Sequence, residues 1–363
     1  MSLDPLDPTL MDLAIDLARQ SRPSPNPRVG AVIAKDGVVL GRGYHERQGM
    51  PHAEVVALAN TGDAARGADL YVTLEPCCHR GHTGPCVQAI VKAGIARVAV
   101  GMVDPDPRVS GGGIQALEQN GVAVVVGLRG DECSRLLSGY TIHRVEGRPE
   151  ITLKAAITLD GALAAITGDS KWISCKESRT LAHGMRADSD AVLVGIETVL
   201  KDDPELTVRH CPGKNPLRIV MDSRLRTPTD SKLIQSATIA PLLLVHTVAN
   251  TAADQFNDMA GVETLLCEPT ADGLVDPRDL AFKLGKRGIL SLLVEGGAKI
   301  HGAFARAGIA DRFSLFVAPK ILGGGLPWIS FPGTRSVTDG LSAFNLTVTS
   351  VSEDLLLEGR FAR

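Results

Sequence analysis

Near the start of the chain, hydrophobic residues first follow the spacing of a helix and then that of β-strands. Apolar residues recur at helical spacing from Leu10 to Arg19, which predicts a short amphipathic helix. The segment "VGAVIAKDGVVLGRGYH" then contains two runs rich in β-branched residues, joined by Asp36 and Gly37. An Asp-Gly pair between such runs predicts a β-hairpin. We therefore expect one helix followed by two paired strands.

The rest of the first half alternates between helical and extended patterns. "HAEVVALANTG" predicts a helix that ends near Gly62, and "DLYVTLEP" predicts a buried strand that ends at Pro76. "VQAIVKAG" predicts a helix that stops at Gly94, "IARVAVGMVD" a strand, and "GGIQALEQNGVAVVVGL" a further helix and strand. This order predicts an α/β/α layered domain with helices on both faces of a sheet.

A second domain is expected because 363 residues exceed the usual size of a single core. The polar segment "HRVEGRPE" (143–150) contains Gly147 and Pro149 and predicts a linker, which places the domains at residues 1–146 and 150–363. The second half alternates again, through the segments "DAVLVGIETVL", "PLRIVMDS", "APLLLVHT", "GVETLLC", "DLAFKLGKRG", "ILSLLVEGG", "KIHGAFARAG" and "DRFSLFVAP". The expected fold class is α/β in both domains.

Composition limits the classes of function. Hydrophobic residues make up 44% and charged residues 22% of the chain, as in ordinary soluble globular proteins. A net charge of −3 offers no cationic surface for nucleic acid, and 4% aromatic residues give no platform for base stacking. No apolar run approaches the ~20 residues of a membrane span, and the amino terminus lacks the basic start of a signal peptide. We expect a cytoplasmic enzyme that acts on small molecules, without nucleic-acid or membrane partners.

The cysteines point to a metal. Seven cysteines, an odd number without a secretory signal, indicate a reducing compartment, where clustered thiols bind metal more often than they form disulfides. The segment "EPCCHRGHTGPC" places Cys77, Cys78 and Cys86 close together with two histidines. Upstream, "PHAEVV" places His52 and Glu54 in the first turn of a helix. Because Cys86 opens another helix, we expect a thiolate there to be stabilised by the helix amino terminus.

These residue types suit a catalytic zinc site. One histidine and two thiolates leave the fourth tetrahedral position of zinc for water, as catalytic sites do. Glu54, two residues from His52, does not share its helical face, which suits a proton-transfer group beside the metal. The signature of zinc deaminases is H-x-E followed by P-C-x-x-C. "HAE" and "PC" match this signature, but the residue three positions after Cys77 is Arg80.

Other interpretations remain open at this point. The ion could be structural, with His79 as a fourth ligand, in a binding module that needs no Glu54. A nucleoside or nucleic-acid deaminase with an accessory domain could share the metal site. We expect Cys78, His79 and His82 not to be ligands. The remaining cysteines are expected to be structural thiols: Cys133, Cys175, Cys211 and Cys267.

The spacing of the cysteines carries a family resemblance. "TLEPCCHRGHTGPC" resembles the deaminase domain of the bifunctional riboflavin biosynthesis deaminase/reductase, as do "PSPNPRVGAVI", "GYHERQGMPHAEVVAL" and "DPDPRVSGGG". The resemblance implies a cytidine-deaminase-like fold, zinc held by three residues, Glu54 as the proton donor and Asn26 as a contact of the pyrimidine. The implied zinc ligands are His52, Cys77 and Cys86. The chain departs from the family pattern by Asp106 in place of Asn, His82 in place of Arg and Gly84 in place of Pro.

The second half offers one phosphate-binding pattern of its own. In "ILSLLVEGGAKIHGAF" two glycines stand between an apolar strand and a helix, where backbone N–H groups can approach a phosphate. A closely packed connection without a ligand would look the same. No G-x-G-x-x-G follows a predicted strand, so a Rossmann dinucleotide site has no direct support.

From Ile151 onward the chain resembles the reductase domain of the same bifunctional family, similar in fold to dihydrofolate reductase. The matching segments are "LKAAITLDGALA", "GDSKWIS", "MRADSDAVLVGIETVLKDDPELTVR", "RIVMDS", "LVEGGAKIHGAF" and "VAPKILGG". The implied NADPH contacts are Ala156, Trp172, Thr198, Asp202, Ser223 and the turn Gly297, Ala298, Lys299, Ile300, His301, Gly302 and Ala303. The implied substrate contacts are Ser170, Arg186, Leu206, Arg209 and Glu295.

The residue types agree with these roles. Arg186 and Arg209 can bind a sugar phosphate bidentately, and Ser170 can add a hydroxyl bond. Glu295 can accept hydrogen bonds from ribose hydroxyls, and Lys154 or Asp202 could assist protonation. The resemblance implies deamination of 2,5-diamino-6-ribosylamino-4(3H)-pyrimidinone 5′-phosphate and then reduction of its ribosyl group by NADPH. It leaves a homo-oligomer open.

Overall fold

A computed structural model describes residues 6–78, 84–247 and 252–362 of the chain. The chain forms two compact units, which divide between Gly147 and Arg148. Among the described residues, every helix is too short or too polar to cross a membrane. His79 and His82, which we expect not to be ligands, lie outside the described residues, and so does the alternative in which His79 is a fourth ligand.

Helices and strands alternate through much of the first unit. In chain order its described residues form α1 (Pro8–Arg19), β1 (Gly30–Lys35), β2 (Val38–Tyr44), α2 (Ala53–Thr61), a 3-10 turn (Gly62–Ala65), β3 (Asp69–Leu74), α3 (Cys86–Ala93), β4 (Arg97–Met102), α4 (Gly112–Gln119), β5 (Ala123–Val126), α5 (Gly130–Leu136) and α6 (Ser138–Glu146).

The five strands form one sheet in the order β2-β1-β3-β4-β5. Strand β1 pairs antiparallel with β2 and β3, while β3, β4 and β5 are parallel. The predicted hairpin is confirmed, because Asp36 and Gly37 both have positive φ angles, 51° and 76°. A two-residue turn between right-twisted strands needs this backbone conformation. The predicted helices that end near Gly62 and Gly94 are confirmed as α2 and α3.

Helices cover both faces of this sheet, as the sequence predicts. Gly30 of β1 lies directly against Ala14 of α1, and Gly43 of β2 lies directly against Ala53 of α2. Gly43 pairs with Ala31, the residue after Gly30, so the two glycines face opposite sides of the sheet. A Cβ atom at either glycine would collide with helix backbone. The glycines therefore set how closely α1 and α2 pack.

The two units divide within the predicted linker, but the first half of that linker is helical. Residues 143–146 form the last turn of α6, and only residues 147–149 connect the helix to the strand that begins at Glu150. Tyr140 and Ile142 bury the apolar side of α6, which the polar residues after them conceal in the sequence. Gly147, with φ 71°, ends the helix in the left-handed conformation.

The second unit contains the rest of the chain. Its described residues form β6 (Glu150–Thr158), β7 (Ala162–Ala164), α7 (Lys176–Asp188), β8 (Ala191–Gly195), α8 (Ile196–Asp202), β9 (Leu217–Met221), α9 (Lys232–Gln235), β10 (Leu242–His246), α10 (Ala252–Asn257), β11 (Val262–Leu266), α11 (Pro277–Lys286), β12 (Ser291–Val294), α12 (Ala298–Arg306), β13 (Arg312–Ala318), β14 (Leu326–Pro327), a 3-10 turn (Val337–Asp339), β15 (Ala343–Val351) and β16 (Asp354–Phe361).

A nine-stranded sheet in the order β11-β10-β9-β8-β12-β6-β13-β16-β15 organises this unit. The strands from β11 to β13 are parallel, and the β15–β16 hairpin adds an antiparallel edge. The carboxyl ends of β9, β8, β12 and β6 therefore lie side by side at one edge, where α/β sheets bind ligands. The sequence predicted neither α7 nor the hairpin. The hairpin escapes prediction because β15 is exposed at eight of its nine residues and lacks a buried face.

Candidate active sites

The structure brings the three predicted zinc ligands together in the first unit. His52 is the residue before α2, Cys77 follows β3, and Cys86 is the first residue of α3. Their ligand atoms all lie within 4.8 Å of one another. The Nδ1 atom of His52 is 3.2 Å from Sγ of Cys86 and 3.6 Å from Sγ of Cys77. We call these three residues the metal group.

The spacing of the metal group suits zinc. Zinc binds imidazole nitrogen at about 2.05 Å and thiolate sulfur at about 2.3 Å, so a tetrahedral ion separates the two ligand atoms by about 3.6 Å. The two nitrogen-to-sulfur distances, 3.2 and 3.6 Å, lie close to that value. Cys78 is half-buried and does not belong to the group. Three protein ligands of this kind are the donor set of a catalytic zinc site.

The start of α3 also acts on Cys77. The sequence placed the stabilised thiolate at Cys86, and the Sγ atom that accepts the first backbone N–H of α3 is that of Cys77, at 3.4 Å. Hydrogen bonding from the Cys86 thiol, together with His52, lowers the pKa of Cys77 to about 4. The helix end therefore acts on the cysteine that precedes it, because Cys86 itself points its N–H at Cys77.

Glu54 lies at the buried end of the same site. It is the second residue of α2 and only 3% exposed, and it lines the same cavity as His52 and Cys77. Burial, followed by the negative charge of Cys77, raises the pKa of Glu54 to about 7. A carboxyl group with such a pKa can both take and return a proton at neutral pH. This arrangement suits general acid–base chemistry beside a metal.

A cavity of about 520 Å³ opens above the metal group. Asn26 and His45 line it, and Nδ2 of Asn26 lies 2.9 Å from Nε2 of His45. Nδ1 of His45 lies 3.1 Å from the carbonyl oxygen of Pro51, just before the metal ligand His52. These two contacts fix the His45 tautomer with the proton on Nδ1. The predicted pyrimidine contact Asn26 therefore lies on the cavity wall and is oriented by His45.

Glu75, which the sequence did not single out, shapes another part of the cavity wall. The carboxylate of Glu75 accepts four backbone N–H groups, those of Asp104, Gly111, Gly113 and Ile114, at 2.8 to 3.2 Å. This shapes the loop from residue 104 to the start of α4. Glu75 stands in the quoted cysteine segment, and its position directly after a buried strand was the available signal.

In the second unit the structure joins three charged residues. Strands β6 and β12 pair Leu153 with Val294, so the next residues, Lys154 and Glu295, are neighbours. Nζ of Lys154 lies 3.7 Å from Glu295, and Arg186 of α7 binds the carboxylate through Nε at 2.6 Å and a terminal nitrogen at 2.8 Å. Burial alone would raise the pKa of Glu295, but the two cations outweigh it and lower the pKa to about 2.

Arg186 binds a carboxylate in the structure, and its expected contact with a phosphate stays a prediction. The sequence suggested that its guanidinium binds a phosphate bidentately, whereas in the structure it binds Glu295 in that way. A third nitrogen donates to the carbonyl of Thr207 at 3.3 Å. Because most of its donors are engaged, Arg186 fixes Glu295 and the 205–209 segment relative to each other.

Several predicted cofactor contacts lie at the carboxyl ends of adjacent parallel strands. Thr198 and Asp202 belong to α8, which directly follows β8, and Ser223 follows β9. Ala156 is in β6, and the turn that begins at Gly297 follows β12 and opens α12 as predicted. Ile300 of that turn packs against Gly195 at the end of β8. The order β9-β8-β12-β6 brings these residues to one edge of the sheet.

The remaining predicted contacts lie on loops. Leu206 is buried with a positive φ of 56°, and Arg209 pairs with Glu205 at 2.6 Å. Ser170 and Trp172 lie in the segment before α7. Trp172 is 64% exposed, and its backbone carbonyl accepts a hydrogen bond from Lys320, which follows β13. These contacts connect Trp172 to the carboxyl end of the sheet but do not connect Ser170 to Arg209.

Comparison with known families assigns both units. Residues 5–102 match the family described as the cytidine and deoxycytidylate deaminase zinc-binding region, and residues 149–356 match the RibD C-terminal domain. The riboflavin biosynthesis protein RibD of Aquifex aeolicus is 42% identical over 355 residues, which cover 97% of this chain and 98% of that protein. The Escherichia coli RibD is 40% identical, and the match covers 92% of this chain and 93% of that protein.

Solved structures agree along nearly the whole chain. Acinetobacter baumannii RibD superimposes with a TM-score of 0.86 at 34% identity, covering 98% of this chain and 99% of that one. A Thermotoga maritima diaminohydroxyphosphoribosylaminopyrimidine deaminase/5-amino-6-(5-phosphoribosylamino)uracil reductase superimposes with a TM-score of 0.85 at 35% identity, covering 98% of both chains. The chain belongs to the RibD family of riboflavin biosynthesis enzymes, which combine a zinc-dependent deaminase with an NADPH-dependent reductase.

Proposed function

We propose that residues 1–146 deaminate 2,5-diamino-6-ribosylamino-4(3H)-pyrimidinone 5′-phosphate and that residues 150–363 then reduce the ribosyl group to give 5-amino-6-ribitylamino-uracil 5′-phosphate. The observation that carries the first step is the convergence of His52, Cys77 and Cys86 beside the buried Glu54. The enzyme would work in the cytoplasm on this small molecule.

In the first step different residues bind the metal, transfer the proton and hold the pyrimidine ring. His52, Cys77 and Cys86 would hold the zinc ion, which would act as a Lewis acid and make water nucleophilic at neutral pH. Glu54 takes a proton from the attacking water and passes it to the departing amine, so that ammonia leaves. Asn26, oriented by His45, holds the pyrimidine ring by hydrogen bonds. The buried position of Glu54 keeps bulk water away from this proton.

In the second step the protein binds NADPH and the substrate and orients them relative to each other. NADPH supplies the hydride when it is bound, and protein groups fix its position. Ala156, Thr198, Asp202, Ser223, Trp172 and the turn from Gly297 to Ala303 are the proposed contacts of the cofactor. Ser170, Leu206, Arg209, Arg186 and Glu295 are the proposed contacts of the substrate.

The charged trio suggests how the second step receives its proton. Burial lowers the pKa of Lys154, whose ammonium stands beside Glu295. A lysine of lowered pKa donates a proton more readily than an exposed one. We therefore favour Lys154 over Asp202 as the donor, because Asp202 lies on α8 at the cofactor edge.

One incubation tests both steps and their order. Purified protein with measured zinc content is given the diaminopyrimidine phosphate, with and without NADPH. The proposal expects ammonia release in both samples, and NADPH oxidation only after deamination. A nucleoside deaminase with an accessory domain would release ammonia from the nucleoside and leave NADPH unoxidised.

A further inference from the structure

Two arginines of the first unit line the deaminase cavity without a role in the proton transfer. Arg108 lies in the loop that Glu75 shapes, and Arg144 lies in the last turn of α6. Both face the carboxylate of Asp106. Arg108 binds it through Nε at 2.9 Å and a terminal nitrogen at 2.5 Å, and Nε of Arg144 lies 3.6 Å from it. The two guanidinium groups therefore share one carboxylate on the cavity wall.

Only one of the two arginines makes hydrogen bonds to this carboxylate. The hydrogen bonds from Arg108 lower the pKa of Asp106 to about 2, so the carboxylate is ionised at neutral pH. Arg108 takes up this charge at hydrogen-bonding distance, whereas Arg144 remains beyond it. Nε of Arg144 is buried and has no hydrogen-bond partner in the described part of the chain. A buried donor of this kind is costly unless a ligand satisfies it.

The other carboxylates of this wall have donors of their own. Glu75 is engaged by four backbone N–H groups. Asp104 accepts the hydroxyl of Tyr140 at 3.1 Å and the N–H of Asp106 at 2.9 Å. Arg144 lies over the Tyr140 ring, 4.9 Å from its centroid, which holds the guanidinium plane in place. Tyr140 thus contacts two residues in different ways: its hydroxyl donates to Asp104, and its ring face packs against Arg144.

The cavity has a buried end at the metal group and a solvent-exposed end at the arginines. Glu54 and Cys86 are nearly inaccessible at the metal end, while the side chain of Arg108 is 70% exposed and that of Arg144 is 25% exposed. A ligand with its reacting amine at the metal group would extend its other end toward solvent and the arginines. In the proposed substrate that other end is a phosphate.

We propose that Arg144, assisted by Arg108, forms the subsite of the deaminase cavity that binds the 5′-phosphate of the substrate. The inference rests on the proposed deaminase function. Planar guanidinium groups match phosphate oxygens in bidentate geometry. Asp106 is a positioning residue here, because it holds Arg108 in the wall. The subsite makes this unit select a phosphorylated pyrimidine riboside over the free riboside.

The experiment compares two compounds, the diaminopyrimidine ribosyl phosphate and the same compound without its phosphate. Arg144→Met is expected to raise KM for the phosphorylated compound by about ten- to a hundredfold, the size of a charged hydrogen bond. Its loss of kcat/KM for the dephosphorylated compound should be at least about tenfold smaller than its loss for the phosphorylated one. Arg144→Lys retains the charge and should restore part of the loss. Arg19→Gln is the control, since Arg19 is an exposed arginine of α1 that pairs with Asp16.

A second measurement needs no variant. Ribose 5-phosphate should inhibit wild-type deamination competitively, and ribose should not. Equal loss with both compounds in Arg144→Met, no loss with either, or equal inhibition by ribose would overturn the phosphate subsite while leaving the deaminase intact. If the wild-type protein releases ammonia from neither compound, the proposed function itself falls, and this inference with it.

Discussion

Nδ1 of His52 lies 3.2 Å from Sγ of Cys86, although 34 positions separate the two residues in the chain. Two helix starts produce this contact, because His52 immediately precedes α2 and Cys86 is the first residue of α3. The first turn of each helix fixes the backbone of the residue at its start. The metal group is therefore built on rigid elements, and replacing one ligand should remove the ion without disturbing the sheet.

Cys86→Ser should lower the zinc content from about one ion per chain to nearly none, because serine is a poor zinc ligand. Ammonia release should disappear with the zinc, and NADPH oxidation with the deaminated product should remain. The matched control is Cys78→Ser, which changes a thiol near the site but outside the metal group. Metal analysis of both variants decides the question, and zinc loss in the control would show that the ligand set is wrong.

Glu75→Gln should loosen the wall of the deaminase cavity without removing zinc. The carboxylate accepts four backbone N–H groups, and an amide can accept at only one of its two terminal atoms. Leaving buried N–H groups unpaired costs about 1 to 3 kcal/mol. KM for the deaminase substrate should rise while zinc content stays at the wild-type level. A wild-type KM would mean that the 104–114 loop does not depend on Glu75.

Glu295→Gln should destabilise the protein by about 3 kcal/mol, because it leaves the buried Arg186 without its carboxylate. Urea unfolding measures this cost. The double variant Glu295→Gln with Arg186→Met removes both charges and should be more stable than the single variant. Equal stability of the two would show that the Arg186–Glu295 pair contributes little.

The same ion pair predicts a pH dependence. The pKa of Glu295 is lowered from its ordinary 4.5 to about 2, so its ionised form stabilises the fold above about pH 4.5, and this contribution is lost as the pH falls toward 2. The free energy of unfolding of the wild-type protein should therefore fall more steeply between these values than that of Glu295→Gln. Parallel curves would contradict the lowered pKa.

Arg218→Met tests a buried cation that has no carboxylate at hydrogen-bonding distance among the described residues. Arg218 is fully buried in β9 and donates to the backbone carbonyls of Glu205, Leu233 and Ala240. Its removal should cost about 3 kcal/mol in unfolding free energy through the unpaired carbonyls. Because Glu205 begins the segment that carries Leu206 and Arg209, KM of the reductase substrate should also rise. An unchanged KM would show that Arg218 does not position the 205–209 segment for substrate binding.

The sequence predicted elements whose signals are local. The hairpin turn at Asp36 and Gly37 and the helix ends at Gly62 and Gly94 depend on residues with special backbone conformations, so they were found. Local signals fail where burial is decided by distant contacts. The last turn of α6 looks like a polar linker, and the exposed strand β15 has no buried face.

The candidate site shows the same limit. The ligand types and the family pattern pointed to His52, Cys77 and Cys86, which the structure brings together. The pairing of Arg186 with Glu295 was not foreseen, because 109 positions separate the two residues and only the β6–β12 register explains where Glu295 lies. The sequence also does not show that Sγ of Cys77 accepts the first N–H of α3.

The most direct test of the account is the replacement of Glu54 by glutamine, with zinc content and ammonia release measured on the same preparation. Glutamine keeps the shape of the side chain but cannot carry a proton between water and amine. The account predicts full zinc occupancy and a loss of deamination of at least about a hundredfold, the usual contribution of a general acid–base group. Ammonia release at the wild-type rate from zinc-loaded Glu54→Gln protein would contradict it.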